Sequence, residues 1–265
     1  MKKLVCLVLT AAMVLGMTAC GQTKEADKIT SVDQLAGKKV GVQTGTTGDL
    51  YISEDEELGV GAVERYNSGF EAVQALSQGK IDAVIIDDSP AKTFVSQTEG
   101  LTILDSPYTE EEYAIAFGKG SELTASFNEA MAELIAEGTF DAIVEAYLTA
   151  QSDNKPVEHA YVTPEGTTYP NGSLKMATSA DFPPYEYYEG EDIVGIDAEI
   201  ALAICDKLGY ELVIEDMKFD SIIAAISTGK CDFGMAGLTV NEDRKQNVDF
   251  SDAYMTAKQA VIVKE

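Results

Sequence analysis

Cations are scarce in this sequence: 19 Lys and Arg stand against 45 Asp and Glu, for a formal net charge of −26. So acidic a surface repels a phosphate backbone, which excludes nucleic acid as an expected partner. The charge otherwise serves solubility and says little about a ligand. Histidine is scarcer still. The single His159 lies in a polar stretch, so a histidine-centred zinc site or acid–base catalyst has little to build on. Of four cysteines, no pair has metal-ligand spacing. Cys205 and Cys231 each sit in an apolar stretch and are expected as buried free thiols, with no metal and no cofactor. Long apolar runs are missing too: beyond residue 17 nothing approaches the roughly 20 residues that cross a bilayer.

The first twenty residues stand apart from this pattern. Met1, Lys2 and Lys3 precede an apolar run from Leu4 to Met17, then Thr18, Ala19 and Cys20, which is the charged start, greasy middle and small-residue exit of an export signal. The run is short for a permanent span of roughly 30 Å. Met17-Thr-Ala-Cys20 is similar to the cleavage box of bacterial lipoproteins, with Cys20 as the lipidation site and a membrane surface as the partner of the anchor. Secretion without lipid is the alternative. The expected segments are a signal at 1–19 and a tether at 20–30; removing the signal leaves 246 residues with a net charge of −28. That length suits one large domain or two lobes.

From Ser31 onward the pattern is α/β. Ser31-Val-Asp-Gln34 has the form of a capping box opening a short helix, Gly37 closes it, and residues 38–42 read as a buried strand. A helix through Glu71 to Ser77, a turn at Gly79 and a strand from Ile81 to Ile86 come next, predicting mostly parallel sheet covered by helices. Residues 71–84 echo residues 220–234: in both, a helix ends at Ser-x-Gly-Lys and an Asp precedes a strand. This offset of 150 residues predicts two lobes of similar build, with one large sheet as the alternative. Residues 121–148 predict two amphipathic helices in series, with Leu123, Phe127, Met131, Leu134 and Ile135 on the first apolar face and Gly138 at the break. The polar, proline-bearing stretch 149–173 is the expected linker, so the predicted lobes are 31–108 and 109–265, linker included.

Four blocks near the end carry a resemblance: LysMetAlaThrSerAlaAspPheProProTyrGluTyr (175–187), ValGlyIleAspAlaGluIleAlaLeuAlaIle (194–204), PheAspSerIleIleAlaAlaIle (219–226) and GlyLeuThrValAsnGluAspArg (237–244). The chain resembles the polar amino-acid-binding proteins of ABC importers, bacterial extracellular solute-binding proteins of family 3. GlyLysLysValGlyValGlnThrGlyThrThrGly (37–48), ValIleIleAspAsp (84–88) and GlyThrPheAspAlaIle (138–143) extend the likeness over nearly the whole body. The resemblance implies a two-lobed, type II periplasmic-binding-protein-like α/β fold that binds without bond chemistry. By the same resemblance Arg244 clamps the α-carboxylate, for which a planar guanidinium offers two parallel donors. Thr239 is read as the start of a Thr-Val-Asn-Glu242 capping box, exposing backbone donors at a helix start, and Gly237 permits close approach. Across the cleft, Gln43, Thr46 and Thr47 belong to a loop between strand and helix whose threonines can address the same carboxylate; a phosphate loop is disfavoured because the second glycine is not succeeded by a lysine. Asp87 matches the acceptor of the α-ammonium, with Asp88 as its neighbour in register. Phe182 and Phe219 match the aromatics enclosing the side chain. Ser179 departs from the acid often found there in relatives that bind cationic or amide side chains; Asp181 or Glu186 could substitute for that acid by turning inward, but each is expected to face solvent.

In the usual family order the segment ending at Lys264 runs into the one beginning at Ile29, so the blocks here read as circularly permuted. That predicts Lys264 and Ile29 close together and one covalent crossing between lobes, near residues 105–113. The partners implied are a free amino acid and an ABC permease with its ATPase, served by a monomer on the extracytoplasmic face. Two other classes are weighed beside this: a dehydratase of cyclic acids using the same cleft, and a sensory module.

Overall fold

A computed structural model describes residues 28–265; the expected signal and Cys20 lie outside the described residues. Thr30 and Ser31 amides both reach the Gln34 side chain, at 2.6 and 3.3 Å, which starts the 3-10 turn at Val32–Leu35 as the capping pattern predicts. Strand β1 (Lys39–Gln43), helix α1 (Thr47–Glu54), β2 (Ala62–Tyr66), α2 (Gly69–Ser77), β3 (Ala83–Asp87), α3 (Asp88–Ser96) and β4 (Leu101–Ile103) then alternate. β1 lies between β2 and β3, parallel to both, and Val40, Val42, Ala83 and Ile85 bury themselves beneath the helices.

The chain next forms β5 (Thr109–Gly118), then α4 (Leu123–Ala136) and α5 (Thr139–Asp153), broken at Gly138. Ile135, predicted on the apolar face of α4, is exposed. The second half repeats the first: β6 (Ser173–Thr178), a small antiparallel sheet of β7 (Asp181–Phe182), β8 (Glu186–Glu189) and β9 (Asp192–Val194), then α6 (Ile196–Leu208), β10 (Glu211–Asp216), α7 (Ile222–Ser227), β11 (Phe233–Gly234) and α8 (Glu242–Lys245). β6 lies parallel between β10 and β11.

The echo of residues 71–84 in 220–234 is structural. Gly79 and Gly229 turn with φ of 72° and 73° after α2 and α7. Asp82 then accepts the Lys39 amide at 2.8 Å, and Asp232 accepts the Lys175 amide at 2.7 Å. Each acid pins the first residues of its half's central strand.

Strand β12 (Val248–Lys264) joins the halves. It pairs with β5 from Val248 to Gln259, passing two irregularities near Ala253, and with β3 and β4 from Gln259 to Lys264. The single crossing predicted near 105–113 is therefore corrected to two, because a 17-residue strand is long enough to pair with strands of both halves, which it joins in one nine-stranded sheet. The linker is shorter than predicted, since α5 continues to Asp153, and it is tied down. Tyr161 and Tyr169 donate to Asp206 at 3.0 and 3.2 Å, and His159 meets Glu199. Ile29 shares an apolar cluster with Val261 and Val263. Cys205 and Cys231 are buried free thiols, as expected. Among the described residues no helix is long and apolar enough to cross a membrane.

Candidate functional site

One cavity opens between the halves, beside the β5–β12 ladder. The first half contributes Gln43, Thr46, Thr47 and Asp87; the second contributes Ser179, Asp181 and Phe182 from one loop, with Phe219, Gly237, Thr239 and Arg244 from others. All ten residues singled out in the sequence line it, and the one further lining residue is Asp181. The walls touch across the mouth: Arg244 Nη2 donates to the Gly45 carbonyl at 3.3 Å and Lys218 Nζ to Asn67 Oδ1 at 3.1 Å.

Arg244 is buried and forms no ion pair with Glu242 or Asp243, the pairing a surface arginine would make. Its guanidinium lies 5.3 Å from the Phe219 ring centroid and donates through Nη1 to the Thr239 carbonyl at 2.7 Å. Burial lowers its proton affinity and the neighbouring Glu111 and Asp87 charges oppose that. The capping box read at Thr239 is corrected. The cap of α8 is Asn241, whose side chain accepts the Arg244 amide at 2.8 Å, because Thr239 is held two residues earlier in a bridge with Tyr113. Gly237 has φ of 55°, and a Cβ there would stand 2.8 Å from the Phe182 ring, so glycine is required by the aromatic wall as much as by any ligand. Its amide donates to Asp197 at 2.9 Å.

The threonines converge on a residue that sequence reasoning missed. Glu111 Oε2 accepts from Thr47 Oγ1 at 2.8 Å, from Thr239 Oγ1 at 2.7 Å and from Gln259 Nε2 at 3.2 Å. Both hydroxyl protons thus point at Glu111, and an incoming carboxylate must draw them away or rely on Arg244. Thr46 caps α1, accepting from the Asp49 amide at 3.2 Å, and donates to the Gln43 carbonyl at 2.9 Å; its hydroxyl is structural. Asp87 ends β3 and accepts from Tyr113. Burial, then the Glu111 charge, push its carboxyl up to about 7. Asp88 is absent from the cavity lining and pairs with Lys92 at 2.6 Å. Glu111 gave no signal because it is one of three consecutive glutamates, Glu110 to Glu112, which read as a solvated run.

Asp181 and Glu186 do not face solvent, contrary to the sequence expectation. Asp181 borders the cavity, receives Ser179 Oγ at 3.3 Å, and is pushed up to about 6 by desolvation. Glu186 is fully buried beside Asp197, and burial followed by the Asp197 charge raises its carboxyl far above the usual range. Neither Glu186 oxygen has a hydrogen-bond partner, so its carboxyl is both buried and unsatisfied beside Asp197. Asp197 in turn accepts from Tyr254 at 2.8 Å, which anchors the loop bearing Gly237. No cluster of His, Cys, Asp or Glu among the described residues is arranged to hold a metal.

Residues 174–265 match the family model of bacterial extracellular solute-binding proteins, family 3. The arginine-binding extracellular protein ArtP of Bacillus subtilis (strain 168) is 46% identical over 92 residues, 35% of this chain and 36% of that protein. The L-cystine-binding protein TcyJ of Escherichia coli (strain K12) is 31% identical over 137 residues, 51% of each. Among solved structures, the arginine-bound form of domain 1 from TmArgBP is 38% identical with a TM-score of 0.32, covering 36% of this chain and 79% of that one. The chain spans about a third to a half of the length of the curated relatives it matches. Two α/β halves around a cleft are the architecture implied by the type II periplasmic-binding-protein resemblance, and residues 174–265 are similar to bacterial extracellular solute-binding proteins, family 3.

Proposed function

We propose that the cleft captures a free amino acid and that the chain delivers it to an ABC importer while held at the membrane by lipid on Cys20. The observation that carries the reading is the facing of Arg244 and Asp87 across one cavity walled by Phe182 and Phe219. A guanidinium and a carboxyl on opposite walls match the two charges of a zwitterion, and the aromatic faces suit the side chain between them. The names of relatives, which include arginine- and L-cystine-binding proteins, support an amino acid as the ligand. Arg244 and Asp87 both line the cavity and no histidine does, which favours capture over the dehydratase reading.

The order of halves is a circular permutation in this proposal, with the original ends joined through the linker. The packing of Ile29 against Val261 and Val263 supports it, since ends that were once continuous remain neighbours. A rearranged chain in which residue 265 runs into residue 28 and the opening falls in the linker should fold and bind equally well.

A thermal-shift screen of the soluble body against all amino acids tests the central claim. A ligand at 100 times its dissociation constant stabilises by roughly 2.7 kcal/mol. No shift with any amino acid would sink the proposal.

A further inference from the structure

We propose that Asp181 selects the ligand's side chain, and that the class selected is an amino acid with a cationic side chain. This rests on the amino-acid reading of the cleft. The resemblance alone argues the other way, because Ser179 stands where an acid for such side chains is often found.

The geometry supplies that acid two residues later. Asp181 lies on β7 and presents its carboxylate to the same cavity as Phe182, its neighbour in the chain. Strand alternation would send adjacent side chains to opposite faces, but a two-residue strand at a loop is free of that rule. Ser179 no longer supplies charge; it donates to Asp181 Oδ1 at 3.3 Å and orients the replacement.

Asp181 has the right place along the cavity. The groups around the zwitterion form one connected set: Thr47 and Thr239 on Glu111, Tyr113 on Asp87, and Arg244 on the Thr239 carbonyl. Asp181 belongs to a different neighbourhood, with Ser179 and Gln43 donating to it and the Asp216 and Glu71 charges beyond. The distance between the two sets is what a side chain has to span.

Charge favours a cation there. Asp87, Glu111 and Asp181 are the acids of the cleft, and Arg244 is the cation set among them. An ordinary zwitterion brings one charge of each sign and leaves the acidic excess as it was, whereas a side-chain cation reduces it. Among the described residues no Lys or Arg lies within ion-pair distance of Asp181; Lys218, at the mouth, is bonded to Asn67 instead. Phe182 adds an aromatic ring to the same cavity, while the Phe219 ring already carries the Arg244 guanidinium at 5.3 Å.

The test measures calorimetric affinity for arginine, lysine and histidine against their uncharged counterparts citrulline, norleucine and glutamine, in the wild type and in Asp181→Asn. The expected result is a preference for arginine over citrulline of about 30-fold or more, collapsing to within about threefold in Asp181→Asn, while citrulline affinity stays within about threefold. Ser179→Ala should lower the preference without abolishing it. Citrulline matching arginine in the wild type, or Asp181→Asn weakening both ligands equally, overturns the assignment and leaves the amino-acid reading standing. Binding of no amino acid overturns that reading and this one together. The melting temperature of each variant separates a local effect from misfolding.

Discussion

The two halves are built on one plan and end differently. In each, a helix closes at a glycine, an Asp pins the central strand, and a parallel strand comes next. In the first half that strand, β3, runs five residues and delivers Asp87 at its end. In the second, β11 stops after two, and the chain passes through Gly237 and Thr239 into α8, delivering Arg244. The same scaffold therefore puts an acid on one wall and a base on the other, by changing only the segment that leaves the strand. The second half also carries both aromatics and Asp181, so it supplies seven of the eleven residues lining the cavity and the first half four. Repeated structure sets the cleft, while divergence after the repeat sets the chemistry.

If that division is right, the largest effect should come from the second half. Arg244→Ala should weaken ligand binding by about 100-fold or more, since truncating a buried charge that meets an opposite charge costs about 2–5 kcal/mol. Retention of affinity within about threefold, measured by calorimetry, would break the comparison at its strongest point. Asp87→Asn on the opposite wall should cost less, about tenfold, because Tyr113 still satisfies the remaining group. Asp87 also sets a pH signature. With its carboxyl near 7 before the ligand arrives, protonation as pH falls below that value removes the negative acceptor, so affinity should decline from pH 8 to pH 5.5 in the wild type and less steeply in Asp87→Asn.

The ligand-free protein should show the reverse trend in stability. Glu186, Asp87 and Asp181 bind their protons more tightly folded than unfolded, so the contribution of these groups is full below the ordinary carboxylate range and shrinks as pH rises through their folded values. Glu186→Gln keeps the side-chain shape and removes the titration, and its thermal unfolding should vary less between pH 5 and pH 8 than the wild type's. The smallest effect probes the shared plan. Asp82→Ala and Asp232→Ala should each lose about 1 kcal/mol in chemical denaturation, and losses that differ severalfold would show the two pins are not equivalent.

Much of this was legible from residues. The Ser-x-Gly-Lys echo located the two halves because helix end, glycine turn and strand start have local causes that a sequence displays. The motifs around Arg244 and Asp87 located the walls. The features that escaped reading were set by tertiary context. Glu186 is charged by type and was expected in solvent; burial and the Asp197 charge beside it raise its carboxyl far above the usual range. Asp181 faces the cavity because β7 is too short to impose alternation. Asn241 outcompeted Thr239 as a cap because Tyr113, far away in sequence, already held Thr239. Glu111 was hidden in a glutamate run whose neighbours, Glu110 and Glu112, are exposed.

Strand β12 has a consequence for assembly. It comes after every other described strand in the chain, yet it fills the middle of the sheet, between β5 and β3. Until residues 248–264 have been made, β3 and β5 both keep an unpaired edge, and neither half can complete its sheet. Its pairing with β3 joins residues more than 170 positions apart, a contact that closes late and slowly. Folding should therefore wait for this strand rather than proceed one lobe after the other.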